Sequence, residues 1–225
     1  MARLSTQINK FNKSLHIPVA LPTGVEILNP FKNAVTVKLS EQFYNKFYSD
    51  DQPRTMIIGI NPGRFGSGIT GVPFTDPINL EKFCSIENSL PKKHELSSDF
   101  IHQVIEAFGG LTLFYKKFYF TSVSPLGFTK NGKNLNYYDE KLLQDRLQDF
   151  IMQCITTQLS WGLNRKVAYV LGEGKNFKFV QQLNAKHNFF EVLQPLSHPR
   201  FIMQYKRKKV GEYVRRYVDL LNTEL

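Results

Sequence analysis

The chain has 225 residues, 42% of them hydrophobic, enough for one sizeable α/β domain with its own core. No apolar run approaches the roughly 18–20 residues of a membrane span. The polar start MARLSTQINKFNKSLHI lacks an apolar signal core, and Cys84 and Cys154 alone exclude a disulfide scaffold or a four-cysteine cluster within the chain. The net charge of +10 favours polyanionic partners, nucleic acid before anionic membrane.

In chain order, residues 1–25 read as an N-terminal helix and arm. LSEQFYNKFYSD reads as a helix opened by Ser40, with Glu41 just inside it. TMIIGI is the first buried strand. Residues 75–97 read as irregular, with Pro77 and Pro91 as breakers. In SSDFIHQVIEAFGG, Ile101, Val104, Ile105 and Phe108 share one helical face, ended by Gly109 and Gly110. FYFTSVSPLGF is a second strand and its loop. YYDEKLLQDRLQDFIMQCITTQLSW reads as one long amphipathic helix. KVAYVLG is a third strand, Gly174 to Leu183 a helix, and NFFEVLQ a fourth strand. A last helix buries Val210, Tyr213, Val214, Tyr217, Leu220 and Leu221. Strands alternating with helices predict a mostly parallel four-stranded sheet covered on both faces, in a single domain.

Such sheets bind ligands beyond the C-terminal ends of their strands, and the unusual sequence falls there. GINPGRFGSGITGVPF follows the first strand. Pro62, Gly63, Gly66, Gly68 and Gly71 within it forbid helix or strand and predict a folded loop that lets backbone approach a ligand closely. SVSPLGF follows the second strand and PLSHPRF the fourth. GEGK, after the third, lacks phosphate-loop spacing and reads as an ordinary turn. Arg200, Lys206, Arg207, Lys208, Lys209, Arg215 and Arg216 form a dense basic cluster opposed only by Glu212.

At these residues the chain resembles the uracil-DNA glycosylase superfamily, above all the single-strand-selective monofunctional (SMUG) type. Gly59 to Phe74 matches that family's first motif at every fixed position except Ile60, where the family has Met. Asn29-Pro30, Ser124-Pro125-Leu126-Gly127-Phe128 and Gly132-Lys133-Asn134-Leu135 echo further segments. His198-Pro199 matches the second motif, with Arg200 in place of its Ser.

The resemblance implies a uracil-DNA glycosylase-like fold and a monofunctional DNA glycosylase of base-excision repair. It would hydrolyse the N-glycosidic bond of uracil, and of other deaminated or oxidised bases, flipped out of single- or double-stranded DNA. It implies Asn61 and His198 as catalytic residues, Phe74 as the stacking ring, and Ile60, Gly63, Phe65 and Ser122 around the base. Arg200, Phe201, Ile202 and Met203 become wedge candidates, and Lys206, Arg207, Lys208 and Lys209 phosphate contacts. The family has an asparagine where Ser122 stands, so base choice is expected to differ. Asp76 is a further candidate for polarising water. No metal or cofactor is called for. A monomer in the cytoplasm is expected, or in the nucleus of a eukaryote, with no membrane partner. Two other readings compete: a catalytically silent DNA-binding module of the same fold, and a small-molecule nucleotide-binding α/β enzyme. The first should have lost Asn61 or His198. The second would want an acidic residue at a metal or ribose site.

Overall fold

The computed structural model describes residues 3–223. In chain order its elements are α1 (Leu4–Ser14), β1 (Val25–Leu28), α2 (Ala34–Phe47), β2 (Thr55–Gly59), α3 (Ser67–Thr70), α4 (Pro77–Lys82), α5 (Leu96–Phe108), α6 (Leu111–Lys117), β3 (Phe118–Ser122), β4 (Gly127–Lys130), β5 (Lys133–Leu135), α7 (Lys141–Arg146), α8 (Gln148–Leu159), β6 (Val167–Leu171), α9 (Lys175–His187), β7 (Val192–Leu196), α10 (Pro199–Tyr205) and α11 (Val210–Asn222), with short 3-10 turns at Pro30–Lys32 and Arg207–Lys209.

The parallel sheet has the order β3-β2-β6-β7. Its two central strands are near-continuous apolar runs because helices cover both faces. Met56, Ile57 and Ile58 of β2 and all five residues of β6 are buried. The chain leaves β2 for β3 on one flank, then returns to β6 on the other, and α/β sheets open a ligand crevice at such a reversal. Gly59 pairs with Ser122 across β2 and β3, and Leu171 with Leu196 across β6 and β7. The loops that follow these residues therefore leave from one sheet edge.

The chain differs from its sequence reading in four places. First, α2 begins at Ala34, where Asn33 accepts hydrogen bonds from the Val35 and Thr36 amides. Ser40 lies inside the helix and donates to the Val37 carbonyl, so a nearer and better cap outcompetes it. Second, the long helix is two helices. Leu147, at ψ −5, turns the chain between α7 and α8, and no Gly or Pro marks the break. Third, a three-stranded antiparallel sheet, β1-β4-β5, lies beside the parallel one. Fourth, residues 75–97 contain α4, opened by Pro77 and capped by Asp76. The end of α5 follows expectation, since Gly109 adopts φ 118 and Gly110 donates to the Ile105 carbonyl. No described helix is long and apolar enough to cross a membrane.

Candidate active site

The loop after β2 is held from both sides. The β2–β3 ladder continues past the strand ends, with Val123 donating to the Gly59 carbonyl and Ser124 to that of Ile60. From the other side comes the small antiparallel sheet. A Cβ on Gly127 would stand 2.3 Å from the Pro62 carbonyl oxygen, so only glycine lets β4 pack against the loop. Within the loop, Gly68 donates to Gly63 O at 2.9 Å, and a Cβ there would meet that oxygen at 2.6 Å and Leu28 Cδ2 at 2.3 Å. The turn of the β4–β5 hairpin, Asn131-Gly132 with φ 51 and 68, brings Asn134 Oδ1 to the Arg64 amide at 3.1 Å.

These contacts place Asn61 between the strand and the hairpin. Its Oδ1 accepts from the Tyr137 amide at 3.0 Å and its Nδ2 donates to the Leu135 carbonyl at 3.2 Å. A backbone donor at one end and a backbone acceptor at the other fix which way the side-chain amide faces. Tyr137 in turn donates its hydroxyl to Asn176 Oδ1 at 2.9 Å, and Asn176 Nδ2 donates to the Leu171 carbonyl at 2.9 Å. The position of Asn61 is thereby tied to the end of β6.

His198 caps the N-terminus of α10, with Pro199 in the first turn. Its Nδ1 accepts the Arg200 amide at 3.2 Å. Nδ1 is therefore the unprotonated nitrogen, and the neutral ring carries its hydrogen on Nε2. Burial, reinforced by the neighbouring Arg200 guanidinium, pushes the His198 pKa down to about 4. The preceding Ser197 is pinned by Tyr217, whose hydroxyl donates to the Ser197 carbonyl, and by its own bond to Glu173 Oε2 at 3.0 Å.

Phe74 adopts φ 53, uncommon for a bulky residue. Its ring lies 5.2 Å from that of Phe120 and 6.2 Å from that of His198. A Cβ on Gly59 would stand 3.0 Å from Phe74 Cζ and 3.3 Å from Ser122 Oγ, so the serine hydroxyl and the ring edge converge over that glycine.

A cavity of about 380 Å3 opens among these side chains, within the range of roughly 300–1,000 Å3 that holds a small ligand. Ile60, Asn61, Gly63, Phe74, Ser122, His198, Arg200 and Phe201 all line it. A larger, shallow depression beside α4, about 1000 Å3 and bounded by Ile78, Glu81, Lys82 and Asn88, holds none of them.

Three sequence expectations are corrected. Phe65 lies outside the cavity, exposed, with the Arg64 guanidinium 4.6 Å above its ring. Ile202 and Met203 are both buried on the inner face of α10 and cannot be exposed wedges. Asp76 is also fully buried, and its carboxylate accepts from the Asn79 amide, Asn79 Nδ2 and the Glu95 amide. It caps α4, ties that helix to Glu95 and does not line the cavity. The exposed apolar residues of α10 are Phe201 and Tyr205, whose rings lie 5.6 Å apart at the cavity rim. Their spacing of four residues on one helix was the available signal for Tyr205. Lys206, Arg207, Lys208 and Lys209 follow, all exposed.

Sequence reasoning also missed Asn136 and Tyr138, which line the cavity after β5, and Glu95, at its rim. Burial, then the nearby Asp76 charge, push the Glu95 carboxyl up to about 7 against the pull of Arg200 and His94. Cys84 and Cys154 are buried and free, each thiol pushed up to about 12 chiefly by burial.

Comparison with known proteins agrees with this geometry. The family model of the Uracil DNA glycosylase superfamily matches residues 46–222. Among solved structures, wild-type SMUG2 of Pedobacter heparinus is 45% identical, covers 98% of this chain and 97% of its own, and superposes with a TM-score of 0.96. No curated protein matches. A family model spanning most of the chain, a parallel sheet of matching architecture and a cavity at its crevice lead to one conclusion: the chain belongs to the uracil DNA glycosylase superfamily, as a monofunctional DNA glycosylase.

Proposed function

We propose that the cavity receives a base flipped out of DNA, and that Asn61 and His198 carry the hydrolysis. The observation behind this is that an amide held by two backbone groups and a neutral histidine line one cavity with an aromatic ring. Phe74 stacks on the base. The Asn61 amide does not titrate usefully, so it orients water and cannot deprotonate it strongly. The reaction is therefore largely dissociative. The bond from C1′ to the base nitrogen breaks with its electron pair leaving on the base, and the sugar gains oxocarbenium character. Water oxygen then bonds to C1′, and the proton it loses ends on the departing base. His198, neutral with hydrogen on Nε2, donates to base O2 and stabilises the developing anion.

Around this centre, Phe201 and Tyr205 fill the gap left by the base, and Arg200 and Lys206 to Lys209 contact phosphates. Ser122 meets the base edge opposite His198. A single hydroxyl there admits uracil together with deaminated purines such as xanthine or hypoxanthine. The protein works as a single domain and a monomer, in the cytoplasm or a eukaryotic nucleus, on single- or double-stranded DNA.

The test is single-turnover incubation with oligonucleotides that each hold one deaminated base, followed by alkali cleavage of abasic sites. Uracil release is expected, and borohydride should trap no protein–DNA adduct. A stable adduct would sink the water mechanism.

A further inference from the structure

Behind Ser122 lies a second chamber of about 30 Å3, room for one water. It shares Pro62, Ser67, Pro73 and Ser122 with the base cavity, and its far side includes Asn12 and Tyr44. Asn12 belongs to the inward face of α1, with Leu4, Ser5, Ile8 and Phe11. It is 7% exposed, and its Nδ2 makes no hydrogen bond among the described residues. Burial dominates the raised pKa of the Tyr44 phenol, with the Asn12 amide acting against it. The Asn12 side chain thus makes a polar contact to Tyr44, but one too weak in geometry to count as a full hydrogen bond for Nδ2. A buried amide donor left unmet costs free energy unless something small accepts from it.

We propose that Asn12 is a specificity-determining residue that acts through one buried water on the Ser122 hydroxyl. The proposal rests on the reading that Ser122 faces the base. The water accepts from Asn12 Nδ2 and donates to Ser122 Oγ. With its oxygen engaged from behind, the serine turns its own hydrogen into the base cavity. A serine hydroxyl alone can donate or accept; this one is held as a donor. A donor there suits the carbonyl of a deaminated base and opposes the amino group of cytosine or adenine.

The probe is a single-stranded oligonucleotide with one 2′-fluoroarabino uridine or cytidine, whose glycosidic bond resists cleavage. The readout is the ratio of the two Kd values. Asn12→Leu removes the donor at similar volume and should reduce the preference for uridine about fivefold. Ser122→Ala should reduce it by a similar factor, and the double variant should add nothing further. If Asn12→Leu leaves the ratio intact while Ser122→Ala lowers it, the water relay is wrong and Ser122 still reads the base. If neither changes the ratio, Ser122 does not face the base and the relay falls with that reading. Should Asn12→Leu fail to fold, a high-resolution crystal structure of the unaltered protein decides. A water within about 3.2 Å of both Asn12 Nδ2 and Ser122 Oγ supports the relay, and a chamber without it overturns the relay.

Discussion

Asn61 and His198 are both held by backbone groups, so truncating either should leave its surroundings largely intact. Asn61→Ala and His198→Ala are each expected to cut single-turnover base release about 10²-fold or more, with DNA affinity nearly unchanged. Near-normal rates in both would put the chemistry elsewhere. The two shifted groups at the cavity have opposite linkage signs. The His198 pKa is lowered to about 4 from 6.5, so in that window the unfolded chain binds more protons and stability rises with pH. The Glu95 pKa is raised from 4.5 to about 7, so the folded chain binds more protons there and stability falls as pH rises. Glu95→Gln removes only the second effect. A thermal-midpoint series from pH 4.5 to 7 should climb more steeply in that variant than in the parent, and parallel curves would mean Glu95 is not perturbed. Ser122→Asn tests base choice. A side-chain amide makes two fixed bonds to uracil where a hydroxyl makes one, worth about 1–3 kcal/mol of discrimination. Competition among uracil, xanthine and hypoxanthine oligonucleotides should narrow toward uracil. An unchanged range would remove Ser122 from the base edge.

Among the elements, α10 and the basic turn after it divide the labour. The exposed rings of Phe201 and Tyr205 line the cavity, and Lys206, whose ammonium lies 6.0 Å from the Phe201 ring centre, is followed by the exposed Arg207 and Lys208. Reversing charge at those three basic residues should weaken binding similarly for all sequences and flatten the salt slope by about one unit per lost phosphate contact. Cleavage at saturating enzyme should hold, and an unaltered slope would move these residues off the DNA path. Elements were legible in the sequence where local signals agreed. The run TMIIG, the face Ile101, Val104, Ile105 and Phe108, and the stop at Gly109 each needed only neighbours to read. The glycine loop and His198-Pro199 were legible as a motif. What escaped depended on distant residues. Asn131-Gly132 is a good hairpin turn, but nothing local says that its strand pairs with Val25–Leu28. Asn134, Asn136 and Tyr138 reach the cavity only because that hairpin docks on the loop. Ile202 looks like a wedge while the segment after His198-Pro199 is not read as a helix with an inward face, and Asp76 looks free because its three donors come from residues 79 and 95.

The whole molecule assembles its cavity from residues spread between positions 60 and 205. The only tryptophan, Trp161, lies edge-on to Phe11 at 5.4 Å and to Tyr119 at 6.0 Å, so its fluorescence reports whether α1 is seated on the rest. During refolding, recovery of base release is expected to follow recovery of that fluorescence. Activity that returned first would show that the cavity forms without α1. The tie between Asn61 and residues 135 and 137 carries this further. An emerging polypeptide that has passed the glycine loop still lacks the groups that orient the Asn61 amide, and His198 arrives later again. A nascent chain that stops short of residue 198 therefore lacks the proposed catalytic histidine and the basic segment at residues 206–209 alike. Competence and the grip on nucleic acid are withheld together until residues 198–209 have been made.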